Sequence, residues 1–441
     1  MEDQSGRVLS AESTVPVGRN SAAPSLSAFL RRVPNPWLAG ALWGAALVVG
    51  LNDVVQVHRA RWYGPDFQIF FVSVSDLFHH RALNQGFDYL PGALVLLAPL
   101  DLIHHEGVVE DLLLAVMIIG LLFTLFVTAK LSHLHPLDAR VAGVALALGL
   151  SGSVTFALLL ENLTLVLLPF LAAYFYLLTT RHWTAAAVVL GVSVTVKPML
   201  LPLVILLVLE RRCRQAALAL AVPIATSVFA LALAAQPDRF FHSAFDTLSA
   251  NATERASAAL NGVGIAWGLN GSLVEVARVI AVTVTVIVAW RIWSSAAPVV
   301  IRNVWTSEAL LAGVFLAIPF SWVFYPLLLI PGCLMGLATT RGTTRWLSVV
   351  GGALVLMPVT IMGFGEWPGD PRTQSTLSCV GIALIMWAAA TVARPASWRQ
   401  SGEVLPPLAD PEDRARKVAE QALTSSASAW VEDHLRTPSP V

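Results

Sequence analysis

Long apolar runs separated by short polar breaks recur from Trp37 to Arg394, a pattern that predicts an all-α bundle of membrane-spanning helices. Runs near 37–57, 89–103, 108–129, 141–160, 163–180, 184–210, 215–235, 273–293, 306–320, 322–340, 346–364 and 374–393 read as about twelve segments, since a crossing helix needs roughly 20 apolar residues. Two runs fit poorly: 89–103 is short, and 184–210 is long with Pro198 in its middle. Re-entry of either one inverts the parity of the spans between them. A proline inside such a run frees a backbone carbonyl, tolerated in a membrane only where protein or a water-filled cavity satisfies it. Lys197-Pro198 therefore predicts a break facing a cavity.

Residues 67–84 follow a different rule. Phe67, Phe70, Val74, Leu77 and Phe78 fall on one helical stripe, with Ser73, Asp76 and His80 away from it. This predicts a juxtamembrane helix lying on the outer leaflet.

The polar segments set the boundaries: residues 1–36 as a cytoplasmic segment, 37–394 as the membrane domain, and 395–441 as a cytoplasmic tail with one short helix starting at Asp410-Pro411. Arg31-Arg32 precedes the first run and no small-residue cleavage site follows it, so that run reads as a retained signal anchor. Alternation from a cytoplasmic N-terminus puts Arg211 to Arg214, Arg291 to Arg302 and Arg341 to Arg345 inside, as the positive-inside rule requires. It puts the loops 58–88, 236–272 and 365–373 outside the plasma membrane, where function is expected.

Composition sharpens this picture in one respect. Hydrophobic residues make up 56% of the 441 and charged residues only 13%, against roughly 25% in soluble chains. The partner is the lipid bilayer; with zero net charge there is no electrostatic footprint for nucleic acid. Cys213, Cys333 and Cys379 show neither metal-ligand spacing nor a disulfide framework. The pairs His79-His80 and His104-His105 do not share a helix face as an i, i+4 ligand pair would, so no metal site is expected.

Candidate chemistry starts at Asp66, in Tyr63-Gly64-Pro65-Asp66-Phe67 just past the first run. A carboxylate there can act as a general base on a hydroxyl within hydrogen-bond reach; a solvated loop aspartate is the commoner case for such a position. Lys197 lies within an apolar run, where an ionised side chain costs about 2.5 to 3.5 kcal/mol. A bound phosphate would offset that cost, and so would an ion pair with Glu161 or Glu308. Glu161-Asn162, between two runs, is a hydrogen-bonding pair for a sugar or a plain interhelical turn. The loop from Asp238 to Gly271, with Asn261 and Trp267, combines Gly, Asn and Trp as carbohydrate sites do, and as surface loops also do. Tyr325, in Trp322-Val323-Phe324-Tyr325-Pro326, is at an aromatic belt or a site.

Taken together, these residues form a pattern. An acidic residue opens an outer loop with a juxtamembrane helix; Phe87-Asp88-Tyr89-Leu90-Pro91-Gly92 and Leu97-Ala98-Pro99-Leu100 follow. Val194-Thr195-Val196-Lys197-Pro198-Met199 comes next with Arg211-Arg212-Cys213-Arg214 behind it, and then the loop from Pro237 to Asn261-Gly262-Val263. Over about residues 37–340 the chain resembles the GT-C membrane glycosyltransferases of glycosyltransferase family 87, most closely those α-(1→3)-arabinofuranosyltransferases that branch cell-wall arabinan.

The resemblance implies transfer of a sugar, D-arabinofuranose, from decaprenyl-phosphoryl-arabinose or a related lipid-linked donor to an arabinan or lipoglycan acceptor on the outer face. It implies Asp66 as catalytic base and Lys197 as the donor-phosphate ligand, with Tyr89, Glu161, Asn162, Asn261, Trp267 and Tyr325 as substrate-binding residues. No cofactor is obligatory in that scheme, and a divalent metal is optional. The chain departs from the family in having Pro65-Asp66 where two adjacent acids are common, and a single Pro91 where a Tyr-Pro-Pro run is common. The rival readings are a mannosyltransferase using polyprenyl-phosphate-mannose, and a transporter or flippase. The latter predicts paired broken helices in two pseudo-symmetric halves.

Overall fold

The computed structural model describes residues 35–60, 64–82, 87, 89–103, 105–242, 257–357 and 371–393. The expected N-terminal segment up to residue 34, the tail with its helix at Asp410-Pro411 and most of the 365–373 loop lie outside the described residues. Among those described, the fold is helical, with only an isolated bridge between Ser257 and Trp322.

The helices are α1 (Pro36–Ala60), α2 (Pro65–Phe78), α3 (Gly92–Leu96), α4 (Glu106–Leu131), α5 (Ala139–Gly149), α6 (Gly152–Leu159), α7 (Thr164–Thr179) and α8 (Trp183–Val196). After them come α9 (Val204–Leu209), α10 (Cys213–Leu233), α11 (Leu260–Trp267), α12 (Gly271–Trp293), α13 (Val299–Ala317), α14 (Ile330–Thr339), α15 (Gly342–Leu356) and α16 (Pro371–Val392). Six of these, α1, α4, α10, α12, α13 and α16, are long and apolar enough to cross a membrane, and α5 with α6, bent by 56° at a short break, are together long and apolar enough for a seventh. The outer helices turn apolar side chains outward: on α12, Leu273, Val276, Val279, Ile280 and Val286 are all exposed. Such a surface is stable against hydrocarbon and not against water. The chain is a multi-pass membrane protein. Its centre is α13, where Asn303 to Ala309 are buried without a break.

Two of the predicted spans do not cross. The 89–103 run forms only the five residues of α3 and a 3-10 turn over Ala98–Leu102. At 1.5 Å per helical residue, α3 rises only about 7 Å. The segment leans on α10, where Gly92 N donates to Ser227 Oγ at 3.3 Å, and it returns to the end of the bundle it left, with His79 Nδ1 4.0 Å from Asp101 Oδ1.

The 184–210 run folds back on itself. Helix α8 climbs to Lys197, the chain breaks before Pro198, and a 3-10 turn over Pro198–Leu203 and then α9 descend beside it. The two feet meet where the Arg212 guanidinium lies 4.8 Å from the centre of the Trp183 ring. A straight run of this length would hold those residues roughly 40 Å apart. The expected break at Lys197-Pro198 is thus the tip of a hairpin.

These corrections change which loops share a face. Strict alternation through all twelve runs sends residues 161–162 to the opposite face from Asp66. With two runs folded back, α4 descends from the Asp66 end, where His58 Nδ1 is 3.9 Å from Asp111 Oδ1, and α5 with α6 climbs back to it. At the far end lie Lys130, Arg140, Arg212 and Arg302, tied by Lys130 Nζ to Tyr176 Oη at 3.2 Å and by Arg302 Nη2 to Glu210 Oε1 at 3.1 Å.

The stripe on α2 behaves as expected on one side: Phe67, Phe70, Val74 and Leu77 are buried. The other side departs from expectation, because Ser73 and Asp76 are buried too. Helix α2 thus buries polar as well as apolar positions, while Gln68 and Val72 stay exposed. It ends at Phe78, and His80 takes φ +52 to turn the chain.

Candidate active site

Asp66 sits in the first turn of α2, and the residue before that helix explains how it reaches its partners. A Cβ on Gly64 would lie 2.7 Å from the Leu160 carbonyl oxygen and 2.8 Å from Glu161 Cβ. Only glycine lets the α2 N-terminus press this closely on the turn between α6 and α7. That turn needs Glu161 in the left-handed region, φ +52, and it presents Asn162 to Asp66.

Asn162 Oδ1 accepts from Thr164 N at 2.9 Å and from Thr164 Oγ1 at 2.6 Å. Both bonds commit the carbonyl side of the amide, so the NH2 must face the other way. There Asn162 Nδ2 donates to Asp66 Oδ2. One Asp66 oxygen is held by a fixed donor, and the carboxylate's orientation is set by α6, α7 and α2 together.

Lys197 caps α8 at the hairpin tip and is only 2% exposed. Its ammonium lies 3.7 Å from the centre of the Tyr325 ring and 5.4 Å from that of Tyr89. A desolvated cation over tyrosine faces gains on the order of 2 kcal/mol. Each ring has its own support. Tyr89 meets Phe70 of α2 edge-on at 4.6 Å, and Phe87 joins the same cluster and contacts Phe240 at 5.9 Å. Tyr325 opens a 3-10 turn after a stretch clipped to the start of α11, where Ala258 N donates to the Ser321 carbonyl at 2.6 Å and Ser321 N to Ser257 Oγ at 2.9 Å.

Electrostatics separates Asp66 from Glu161. Burial raises Asp66 above the usual carboxylate range, while the Asn162 bond and the Lys197 charge partly offset that rise. Glu161 is pushed up to about 8, first by burial and then by the negative charges of Glu110, Asp111 and Glu106. At neutral pH Glu161 is therefore mostly a neutral acid. Asp66, by contrast, faces a cation and an amide donor that both favour its ionised form.

Of the expected site residues, Asp66, Asn162, Lys197, Tyr89 and Tyr325 come together, with Glu161 beside them. Asn261 and Trp267 are engaged elsewhere: Asn261 Nδ2 donates to the Pro319 carbonyl at 3.1 Å, and Trp267 Nε1 to Thr376 Oγ1 at 3.0 Å on α16. Glu308 accepts from Gly332 N at 3.0 Å. Asp53, outside the expected site residues, is buried in α1 with Thr155 Oγ1 3.5 Å from its Oδ2. A lone aspartate inside the first apolar run was the available signal. Among the described residues, no three His, Cys, Asp or Glu side chains converge as metal ligands.

Two comparisons with known proteins bear on this site. The chain is 23% identical over 284 residues to an α-(1→3)-arabinofuranosyltransferase of Corynebacterium glutamicum, covering 62% of this chain and 65% of that protein. It is 23% identical over 285 residues to a Mycobacterium tuberculosis protein of the same name, covering 62% and 63%. The chain thus spans just under two thirds of these relatives' length. No solved structure matches it. Residues 87–319, more than half of the chain, match the sequence model of glycosyltransferase family 87, and the chain belongs to that family.

Proposed function

We propose that this protein is a membrane glycosyltransferase that moves D-arabinofuranose from a polyprenyl-phosphate donor to a hydroxyl of an arabinan acceptor, forming an α-1,3 branch. The observation that carries the reading is the Asp66 carboxylate, oriented by Asn162, at the same end of the bundle as the buried Lys197 ammonium. The sugar and linkage follow the name of the curated relatives. The membrane setting favours a lipid-linked donor, whose phosphate sits at the bilayer surface.

In this scheme the acceptor oxygen bonds to the anomeric carbon as the bond from that carbon to the phosphate oxygen breaks. The polyprenyl monophosphate departs with the electron pair, and the hydroxyl proton passes to Asp66. Lys197, drawn off the Tyr325 face, neutralises charge developing on the departing phosphate. That assignment leaves no step needing a metal. Arginine and lysine at the far end favour a cytoplasmic address for that end and an outward-facing site for Asp66.

The test supplies membranes carrying the protein with labelled prenyl-phosphate arabinofuranose, prenyl-phosphate mannose or neither, together with a synthetic arabinan. Transfer of arabinose onto the acceptor, lost in Asp66→Asn while the variant still inserts and folds, is the expected result. Mannose transfer alone would replace the sugar. Wild-type turnover by Asp66→Asn would remove the base.

A further inference from the structure

The far end of the bundle, opposite Asp66, holds a concave site. Between the C-terminal turns of α4 and the start of α5 is a notch of about 730 Å3, within the usual range for small-molecule pockets. One wall is apolar, from Phe123 and Phe126, which are 44% and 41% exposed on the outward face of α4. The other wall carries basic side chains, Lys130 on the last turn of α4 and Arg140 on α5, with His133 on the connecting turn.

The charges in this notch do not balance. Arg140 is committed to Asp138, with Nε 3.0 Å from Oδ1 and Nη2 3.0 Å from Oδ2, and that pairing holds Asp138 below its ordinary range despite its burial. Lys130 has no carboxylate within ion-pair distance among the described residues; it donates to the Tyr176 hydroxyl and lies 4.8 Å from the centre of that ring. One positive charge therefore remains uncompensated where an apolar wall meets the membrane surface. An anion fits it, and the exposed phenylalanines call for an anion with a hydrocarbon tail. The site lies at the opposite end of the bundle from Asp66, beside the apolar outward face of α4.

We infer that this notch is a binding site for an anionic glycerophospholipid, with its phosphate on Lys130 and its first acyl carbons along Phe123 and Phe126. The charge-assisted bond would come from the ammonium, and the tail would shield the two rings. Tyr176 orients Lys130 so that the cation is in place before the lipid arrives.

The experiment is native mass spectrometry of the purified full chain, titrated with phosphatidylglycerol and phosphatidylcholine of identical acyl chains. Wild type should bind one phosphatidylglycerol at least tenfold tighter than phosphatidylcholine. Lys130→Gln, at an exposed position and still able to donate to Tyr176, should erase that preference, and Lys130→Arg should keep it. Undiminished preference in Lys130→Gln, or equal binding of the two lipids by wild type, would overturn the inference. Competition by glycerol phosphate as effective as the lipid would assign a soluble anion instead. Displacement by polyprenyl monophosphate at lower concentration would assign the notch to the reaction's own lipid and defeat the inference.

Discussion

Asn162→Ala tests whether Asp66 acts as an oriented base, because it removes the orienting donor and leaves the carboxylate in place. Asn162 Nδ2 is the hydrogen-bond donor that holds Asp66 Oδ2, and its amide is locked by Thr164 at 2.9 and 2.6 Å. A hydrogen bond to a charged group contributes about 1.5–3 kcal/mol, so kcat/KM should fall roughly 10- to 100-fold near neutral pH. The pH profile carries the sharper information. Burial raises Asp66, and the Asn162 bond is the larger of the two effects that hold it down. Removing that bond raises it further, so the fraction ionised at a given pH drops. The acid limb of kcat/KM against pH should move to higher pH, and raising the pH should recover part of the loss. A uniform loss with an unmoved acid limb would show that Asn162 only packs the turn; a limb shifted to lower pH would refute the assignment of Asp66 as base. Loss of bonds to Thr164 is a structural confound, and Thr164→Val provides its control, since the Asn162 donor to Asp66 survives there.

Lys197→Met keeps the volume of the hairpin tip while removing the charge; it should cost about 100- to 1,000-fold in turnover with donor as the varied substrate, and an effect confined to acceptor saturation would refute the phosphate role. Glu161→Gln should change how stability depends on pH. The wild-type carboxyl is raised from 4.5 to about 8 in the folded protein, so its contribution is full below about 4.5 and lost as pH rises through about 8. Thermal unfolding scans should therefore show wild type losing stability relative to Gln across that window, by a few kcal/mol, and parallel curves would place Glu161 in contact with water. Chelation with EDTA should leave the transfer rate within about twofold if Lys197 supplies the charge on the departing phosphate. An EDTA-inactivated enzyme rescued by magnesium would assign that role to a metal.

The sequence by itself determined the medium and the local breaks. Apolar runs with few charges specify helices in hydrocarbon, the stripe from Phe67 to Leu77 specifies the buried side of α2, and Lys197 before Pro198 specifies a helix end. Asp66 and Lys197 were each legible as charges out of place. Only the tertiary structure decided that they share a site with Asn162. Hydropathy reports the cost of moving a residue from water, and that cost is the same for a run that crosses and for one that folds back. Whether 89–103 and 184–210 cross depends on whether α10 and neighbouring helices offer them packing partners, as Ser227 does for Gly92 and Trp183 for Arg212. The reversal at 89–103 sets the direction of the spans that follow it and brings Asn162 to the end of the bundle that holds Asp66, and the reversal at 184–210 restores the original alternation beyond it. The engagement of Asn261 with Pro319 and of Trp267 with Thr376 was hidden for the same reason: a residue type favours a role, and packing assigns the partner.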